Sequence, residues 1–249
     1  MSEIRVVTFD LWQTLVLDTR EWRRERTRIC IEDTTALLTK AGESFTEDQV
    51  REGFRAANRI CRALREQGLD MAFRDQVQTF VKSIGEGLQD RLSREQFAGI
   101  LNRYADCFYD APPKIADNAE PVLLALTQAG YRLALISNTA ATPGRTLNAY
   151  LGEMGLSPYF ELYTFSDEVL MCKPNRNIFL HTLLQMGVKP AQAVHVGDHL
   201  RNDILGANEV GMRSILLEGP DETGLDVQPT ARIKALAELP EALEQLKKL

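Results

Sequence analysis

Apolar and polar positions divide the chain into three stretches of different periodicity. Ile4-Arg5-Val6-Val7-Thr8-Phe9 is a short β-branched apolar run that predicts a buried strand, with Asp10 at its carboxyl end. From about Arg20 to Phe108 the apolar residues recur at helical spacing instead. Thr46 with Gln49 is a capping box that opens one helix, whose apolar face runs Val50, Phe54, Ala57, Cys61 and Leu64 and which stops near Gly68. Ser93 with Gln96 opens another, directing Phe97, Ile100, Leu101, Tyr104 and Phe108 inward. Ala111-Pro112-Pro113 then predicts a hinge, because proline holds itself and its predecessor in extended backbone.

Beyond that point helix and strand alternate. Asp117 with Glu120 is expected to cap a helix ending at Gly130, followed by a strand from Tyr131 to Ile136 that ends at Ser137. A strand near Leu162 to Phe165 and a helix from about Asn175 to Met186, stopped by Gly187, come next. A strand Ala193 to Val196 leads into Gly197-Asp198, and a helix through Ile204 to Val210 precedes a strand Ser214 to Leu217. This alternation predicts an α/β fold, a doubly wound, Rossmann-like parallel sheet covered on both faces, interrupted after its first strand by a smaller all-helical domain. The expected boundaries are 1–16 and 112–249 for the core and 17–111 for the insertion. In open parallel sheets ligands bind at the carboxyl ends of the strands, where Asp10, Ser137 and Asp198 all fall.

Composition narrows the function classes. With 44% hydrophobic residues, 249 residues can bury a substantial core, and a net charge of −6 argues against a general nucleic-acid partner. No apolar run approaches membrane-spanning length and no signal-peptide pattern opens the chain, so the expectation is a cytoplasmic protein without membrane contact. Cys30, Cys61, Cys107 and Cys172 form no CxxC pair and read as reduced thiols.

Three strand ends thus deliver an acid, a hydroxyl and a second acid, while Lys173 precedes Pro174 and the start of a helix. These are the parts of a phosphoryl-transfer site. A carboxylate can act as nucleophile and be regenerated by water, provided that a hard cation first reconciles anionic phosphate with anionic Asp10. Asp198 and Asp203 are placed to help hold that cation, Lys173 adds positive charge, and Ser137 adds a hydrogen bond to phosphate oxygens.

The segments FDLWQTL (Phe9 to Leu15), LISNT (Leu135 to Thr139), CKPNRNIF (Cys172 to Phe179) and VGDHLRND (Val196 to Asp203) resemble, in order and spacing, the four motifs of the haloacid dehalogenase superfamily. The helical insertion resembles that family's smaller cap. The resemblance implies Asp10 as nucleophile, Thr14 as the threonine orienting phosphate or nucleophile, Ser137 as phosphate ligand and Lys173 as the motif-three cation. It also implies a Mg2+ site built from Asp10, Asp198, the backbone carbonyl of Trp12 and, directly or indirectly, Asp203. Trp12, Ser137, Asn138 and Lys173 are the expected substrate-binding residues, and the substrate is expected to be a small phosphorylated anion, processed through an aspartyl-phosphate intermediate.

One position departs from the family's phosphatase pattern. Trp12 stands where a second Asp would protonate the leaving alcohol, a contribution worth roughly 10²- to 10⁴-fold. Indole donates one hydrogen bond but cannot shuttle a proton. Two alternatives to a phosphatase therefore stay open: a metal-independent 2-haloacid dehalogenase, whose family members carry an aromatic residue there, and a catalytically weakened binding or regulatory protein. Dehalogenases replace the first acid of motif four, whereas Asp198 and Asp203 are both present here.

Several residues carry plainer expectations. His181 and His195 read as structural, and His199 as an exposed loop residue. The run Glu21-Trp22-Arg23-Arg24-Glu25-Arg26-Thr27-Arg28 could aim an arginine from the insertion at an anionic substrate, but the plainer expectation is a solvated helix face. Lys173 is the exception, since a positive helix terminus repels a lysine unless an anion is near. A monomer and a homodimer fit the apolar pattern equally.

Overall fold

The computed structural model describes residues 3–219 and 225–248. Val6–Phe9 forms β1, buried along its whole length, and Val16–Leu17 forms β2. Five helices follow: α1 (Arg20–Lys40), α2 (Glu47–Glu66), α3 (Phe73–Ile84), α4 (Leu88–Arg91) and α5 (Arg94–Asp110). The chain returns through β3 (Lys114–Ile115), which pairs antiparallel with β2. It continues through α6 (Ala119–Gln128), β4 (Arg132–Ser137), α7 (Gly144–Glu153), β5 (Phe160–Phe165), α8 (Ser166–Val169), α9 (Arg176–Met186) and β6 (Ala193–Gly197). A π-helical turn over Leu200–Leu205, α10 (Gly206–Glu209), β7 (Arg213–Leu217), β8 (Ala231–Ile233) and α11 (Leu239–Lys248) complete it.

The main sheet has the order β5-β4-β1-β6-β7-β8, every pair parallel. This is the doubly wound α/β architecture expected from the alternation. β1 lies between β4 and β6, so Asp10 emerges between their ends, where a parallel sheet presents its ligand crevice. One apolar cluster, including Phe9, Leu123, Leu135 and Leu243, fills one side of the sheet, and a second, including Val6, Ile136, Phe179 and Met186, fills the other. A separate cluster lies among α1 to α5, with Leu38, Val50, Phe80 and Ile100 at its centre.

Both capping boxes expected in the helical stretch are formed, Thr46 with Gln49 and Ser93 with Gln96. The one expected at Asp117 is not. Asn118 occupies the N-cap of α6 with φ 62°, a left-handed conformation that asparagine tolerates, and no side chain caps the helix. The helix expected from Ile204 begins earlier, as the π turn at Leu200, because the His199 ring accepts from the Arg201 and Asn202 amides. Among the described residues no helix is long and apolar enough to cross a membrane.

Two sets of polar contacts tie the helical stretch to the sheet domain, beside ring contacts such as Phe108 with Tyr150. At the chain crossings, the Arg26 guanidinium donates to Asp18 Oδ2 (2.6 Å) and to the Ala111 carbonyl (2.5 Å), so one side chain joins both strands of the connection. Arg26 is therefore withdrawn from the solvated face expected for its run; its side chain is 12% exposed. The second tie comes from the turn between α2 and α3. Arg65 Nε donates to Asp70 Oδ1 (2.9 Å), the Ser166 hydroxyl donates to Asp70 Oδ2 (2.5 Å), and Arg65 also donates to the Ala140 carbonyl (2.8 Å). The Asp70 carboxylate has no solvent contact. Removing it would take the charged partner from Arg65 Nε and the acceptor from the Ser166 hydroxyl, so Asp70→Ala is expected to cost about 3 kcal/mol of unfolding free energy. Urea denaturation checks this, and an unchanged midpoint would show that the tie contributes nothing.

Candidate active site

The site is assembled from the ends of β1, β4 and β6 and from the turn before α9. The Asp10 amide extends the β1–β6 ladder by donating to the Val196 carbonyl (2.8 Å). At its centre lies the Lys173 ammonium, which donates to Asp10 Oδ1 (2.5 Å) and to Asp203 Oδ1 (2.6 Å). All three side chains are buried. The Thr14 hydroxyl donates to the other Asp10 oxygen at 3.2 Å. The tight turn that follows Asp10 passes through Gln13 at φ 61°, where the Gln13 side chain bonds both the amide and the carbonyl of Asp18.

Asn138, expected to meet substrate, is engaged elsewhere. Its Nδ2 donates to the Lys173 carbonyl (3.0 Å) and its Oδ1 accepts from the Lys173 amide (2.8 Å), a two-point clamp on the backbone that carries the lysine. Ser137 is fully buried, and its hydroxyl makes one long contact, 3.5 Å to the Asn138 carbonyl, so its donor is nearly free.

Asp203 is held by donors on three sides: Lys173, the His199 amide at 3.0 Å, and His195 Nε2 at 3.2 Å. A neutral His195 ring with its proton on Nε2 satisfies the geometry, since Nδ1 then accepts from the Thr8 hydroxyl at 2.8 Å. Burial lowers the His195 pKa and so favours that neutral form. His195 and Thr8, read from sequence as plain strand positions, thus support the acid of the next turn. The only advance signal is that both lie inward on paired strands, Thr8 opposite His195. Gly197 is equally constrained: a Cβ there would lie 2.3 Å from Asp203 Cγ. Only glycine lets the carboxylate come this close to the strand.

Electrostatics separate the three acids. Burial pushes Asp10 up to about 6, with Lys173 opposing and the Asp203 charge reinforcing. Burial also acts upward on Asp203, but Lys173 and the His195 hydrogen bond outweigh it and hold that carboxyl well below the usual range. Asp198 rises to about 8, through burial and then through the charges of Asp10 and Asp203. Burial works against the Lys173 charge, but Asp10 and Asp203 more than offset it. One carboxyl oxygen from each of Asp10, Asp198 and Asp203 lies within 4.8 Å of the others. That all-oxygen donor set, short of positive charge at Asp198, fits a hard divalent cation.

Between the turn after Asp10, the loop after Ser137 and the inserted helices lies a cavity of ≈350 Å³ whose walls include Trp12, Asp18, Phe54, Tyr104 and Thr139. Trp12 packs edge-to-face against Phe108 of α5, ring centres 6.5 Å apart. Its buried Nε1 has no hydrogen-bond partner, nor has Asp18 Oδ1. Both residues wall the cavity, so two unpaired polar atoms lie just behind its surface.

The comparisons agree with this arrangement. A family model described as haloacid dehalogenase-like hydrolase matches residues 4–211. Haloacid dehalogenase-like hydrolase domain-containing protein 3 of Homo sapiens is 32% identical over 73% of this chain and 79% of its own length. A glyceraldehyde 3-phosphate phosphatase of Pyrococcus furiosus is 27% identical over 100% of this chain and 95% of its own. The corresponding enzyme of Methanothermobacter thermautotrophicus reaches 36% identity, but the match spans only 57% of that protein and 49% of this chain. Among solved structures, a 2-haloacid dehalogenase from Pseudomonas syringae superposes with a TM-score of 0.72 at 25% identity, covering 98% of this chain and 99% of its own. The sheet, the site and these matches place the chain in the haloacid dehalogenase-like hydrolase family.

Proposed function

We propose that this hydrolase is a magnesium-dependent phosphatase acting on a small phosphorylated metabolite, with Asp10 as nucleophile and residues 17–111 as a cap over the site. The observation that carries the reading is the cluster of Asp10, Asp198 and Asp203. A metal-free dehalogenase has no use for the uncompensated carboxyl of Asp198, whereas a cation would be held by it, by Asp10, by the Trp12 carbonyl and, directly or indirectly, by Asp203. When bound, magnesium supplies the positive charge that lets anionic phosphate approach an anionic nucleophile. The phosphatase relatives favour the same choice.

The chain's own residues supply the rest. An Asp10 carboxylate oxygen attacks phosphorus, and the bond from phosphorus to the leaving oxygen breaks with its electron pair departing on that oxygen. Lys173 balances charge at Asp10, and the spare Ser137 donor serves a phosphate oxygen. Thr14 fixes the orientation of the carboxylate. Water then attacks the aspartyl-phosphate at phosphorus, releasing phosphate and restoring Asp10. Trp12 gives the departing oxygen no proton, so good leaving groups are favoured.

The aromatic Trp12 also suits a dehalogenase, because halide departs without a proton, and the Pseudomonas structure bears that name. Turnover of p-nitrophenyl phosphate with magnesium, lost on chelation and abolished in Asp10→Asn, is the expected result. Halide release from 2-chloropropionate without metal, and no phosphatase activity, would select the dehalogenase instead. No turnover in either assay would select the binding protein.

Two further outcomes follow from the geometry. Trp12→Asp is expected to raise kcat on alkyl phosphates by about 10²-fold while changing p-nitrophenyl phosphate much less. An equal effect on both substrates would mean that proton donation is not what position 12 lacks. Asp198, about 8 when folded against 3.8 for the ordinary carboxyl, keeps its proton in the folded chain across a window where the unfolded chain has lost it. The metal-free fold is therefore expected to lose stability as pH rises through that window, and magnesium, which takes the deprotonated carboxyl, to raise Tm more at about pH 8 than at about pH 6. Thermal melts with and without Mg2+ at the two pH values decide the point, and a gain independent of pH would contradict it.

A further inference from the structure

A groove of ≈460 Å³ runs between α1 and α2 on the helical insertion. Six arginines line it, Arg24 and Arg28 from α1 and Arg51, Arg55, Arg59 and Arg62 from α2, and none of its lining side chains is acidic. In a chain of net charge −6 such a concentration of one sign is a local feature and not a reflection of composition.

The spacing makes it a ladder. Arg51, Arg55 and Arg59 follow at i, i+4 and i+8, Arg62 continues the same face, and Arg24 and Arg28 stand at i, i+4 on the facing helix. Like charges at i, i+4 destabilise a helix. Part of that repulsion is relieved at the edges: Arg28 pairs with Glu25 and Glu32, Arg51 with Asp48, and Arg55 with Glu52. Arg24, Arg59 and Arg62 have no acidic partner within ion-pair distance among the described residues.

The groove adjoins the cavity that Trp12 and Thr139 help to wall. Thr27, Phe54 and Asn58 form walls of both. Trp12 and Thr139, close in sequence to Asp10 and Ser137, wall the cavity at one end, and Thr27, Phe54 and Asn58 border the groove at the other, so a long molecule lying from the site along the cavity reaches the unpaired guanidinium groups.

We infer that the arginine groove between α1 and α2 binds a second anionic group, a carboxylate or phosphate at the distal end of the substrate, making the substrate class an elongated phosphomonoester charged at both ends. This rests on the phosphatase reading for the first phosphate, but the groove can be tested without turnover. Guanidinium recognises carboxylate and phosphate alike through paired N–H donors, and a contact of this strength is worth about tenfold in affinity. The probes are non-hydrolysable: 11-phosphonoundecanoate and 11-hydroxyundecylphosphonate, identical but for the distal group, titrated calorimetrically in Mg2+ against the full chain.

The carboxylate is expected to bind about tenfold more tightly, and the preference to vanish in the Arg59→Gln, Arg62→Gln double variant. Turnover of p-nitrophenyl phosphate, which has no distal anion, is expected to be the same in the variant and the parent. Equal affinities for the two long probes, or a preference that survives the double substitution, would overturn the inference. The two readings fail separately: a carboxylate preference without any phosphatase turnover would leave the groove standing and remove the phosphatase, and turnover without the preference would do the reverse.

Discussion

Everything at the catalytic end of the sheet depends on one buried cation. The Lys173 ammonium stands between Asp10 and Asp203, and without it two carboxylates would face each other in a desolvated crevice. The surrounding structure holds that group in place. Asn138 clamps the lysine backbone from the neighbouring strand end, and His195, braced by Thr8, supports Asp203 from below. Asp198 lies outside this balance, feels two negative neighbours, and is the acid left short of a counter-charge. The site is thus arranged as one satisfied ion triplet beside one unsatisfied carboxyl.

The sheet strands were legible because a doubly wound core buries its parallel strands on both faces, which leaves continuous apolar runs such as Val6 to Phe9 and Arg132 to Ser137. The expected strands lie within a residue or two of the observed ones. Elements that depend on partners distant in sequence were not legible. The short β2–β3 pair and the edge strand β8 have little local signature and exist by pairing with what is already folded, whereas α11 carries helical spacing at Leu239, Ala242, Leu243 and Leu246. Asn118 shows the opposite case, in which a local pattern, Asp117 with Glu120, was present and the backbone chose a left-handed cap one residue later.

At the site, Asp10, Ser137 and Asp198 could be read from their positions at strand ends, and Lys173 and Asp203 from the ordered motifs they belong to. Their supporting partners could not. His195 is an inward strand residue like any other until the turn after β6 brings Asp203 back over it. Asn138 was expected among the substrate-binding residues, and in the structure its side chain is engaged on the Lys173 backbone. The arginines of α1 were expected on a solvated face because helical spacing alone does not say which face meets another helix or a chain crossing. Arg26 bridges the two crossings, while Arg24 and Arg28 border a groove that exists only once α2 packs beside α1.

The Arg65–Asp70–Ser166 tie also sets the mechanics of the helical insertion. Two covalent connections, at Asp18 and Ala111, are drawn together by one arginine and define a single axis of rotation. A third contact placed off that axis removes the remaining freedom, as a bolt does for a hinged door. Its far side is the Ala140 carbonyl, in the loop that follows Ser137 and Asn138. Any swing of the insertion must first withdraw Arg65 from that loop, so access to the crevice and the shape of its rim are mechanically the same variable.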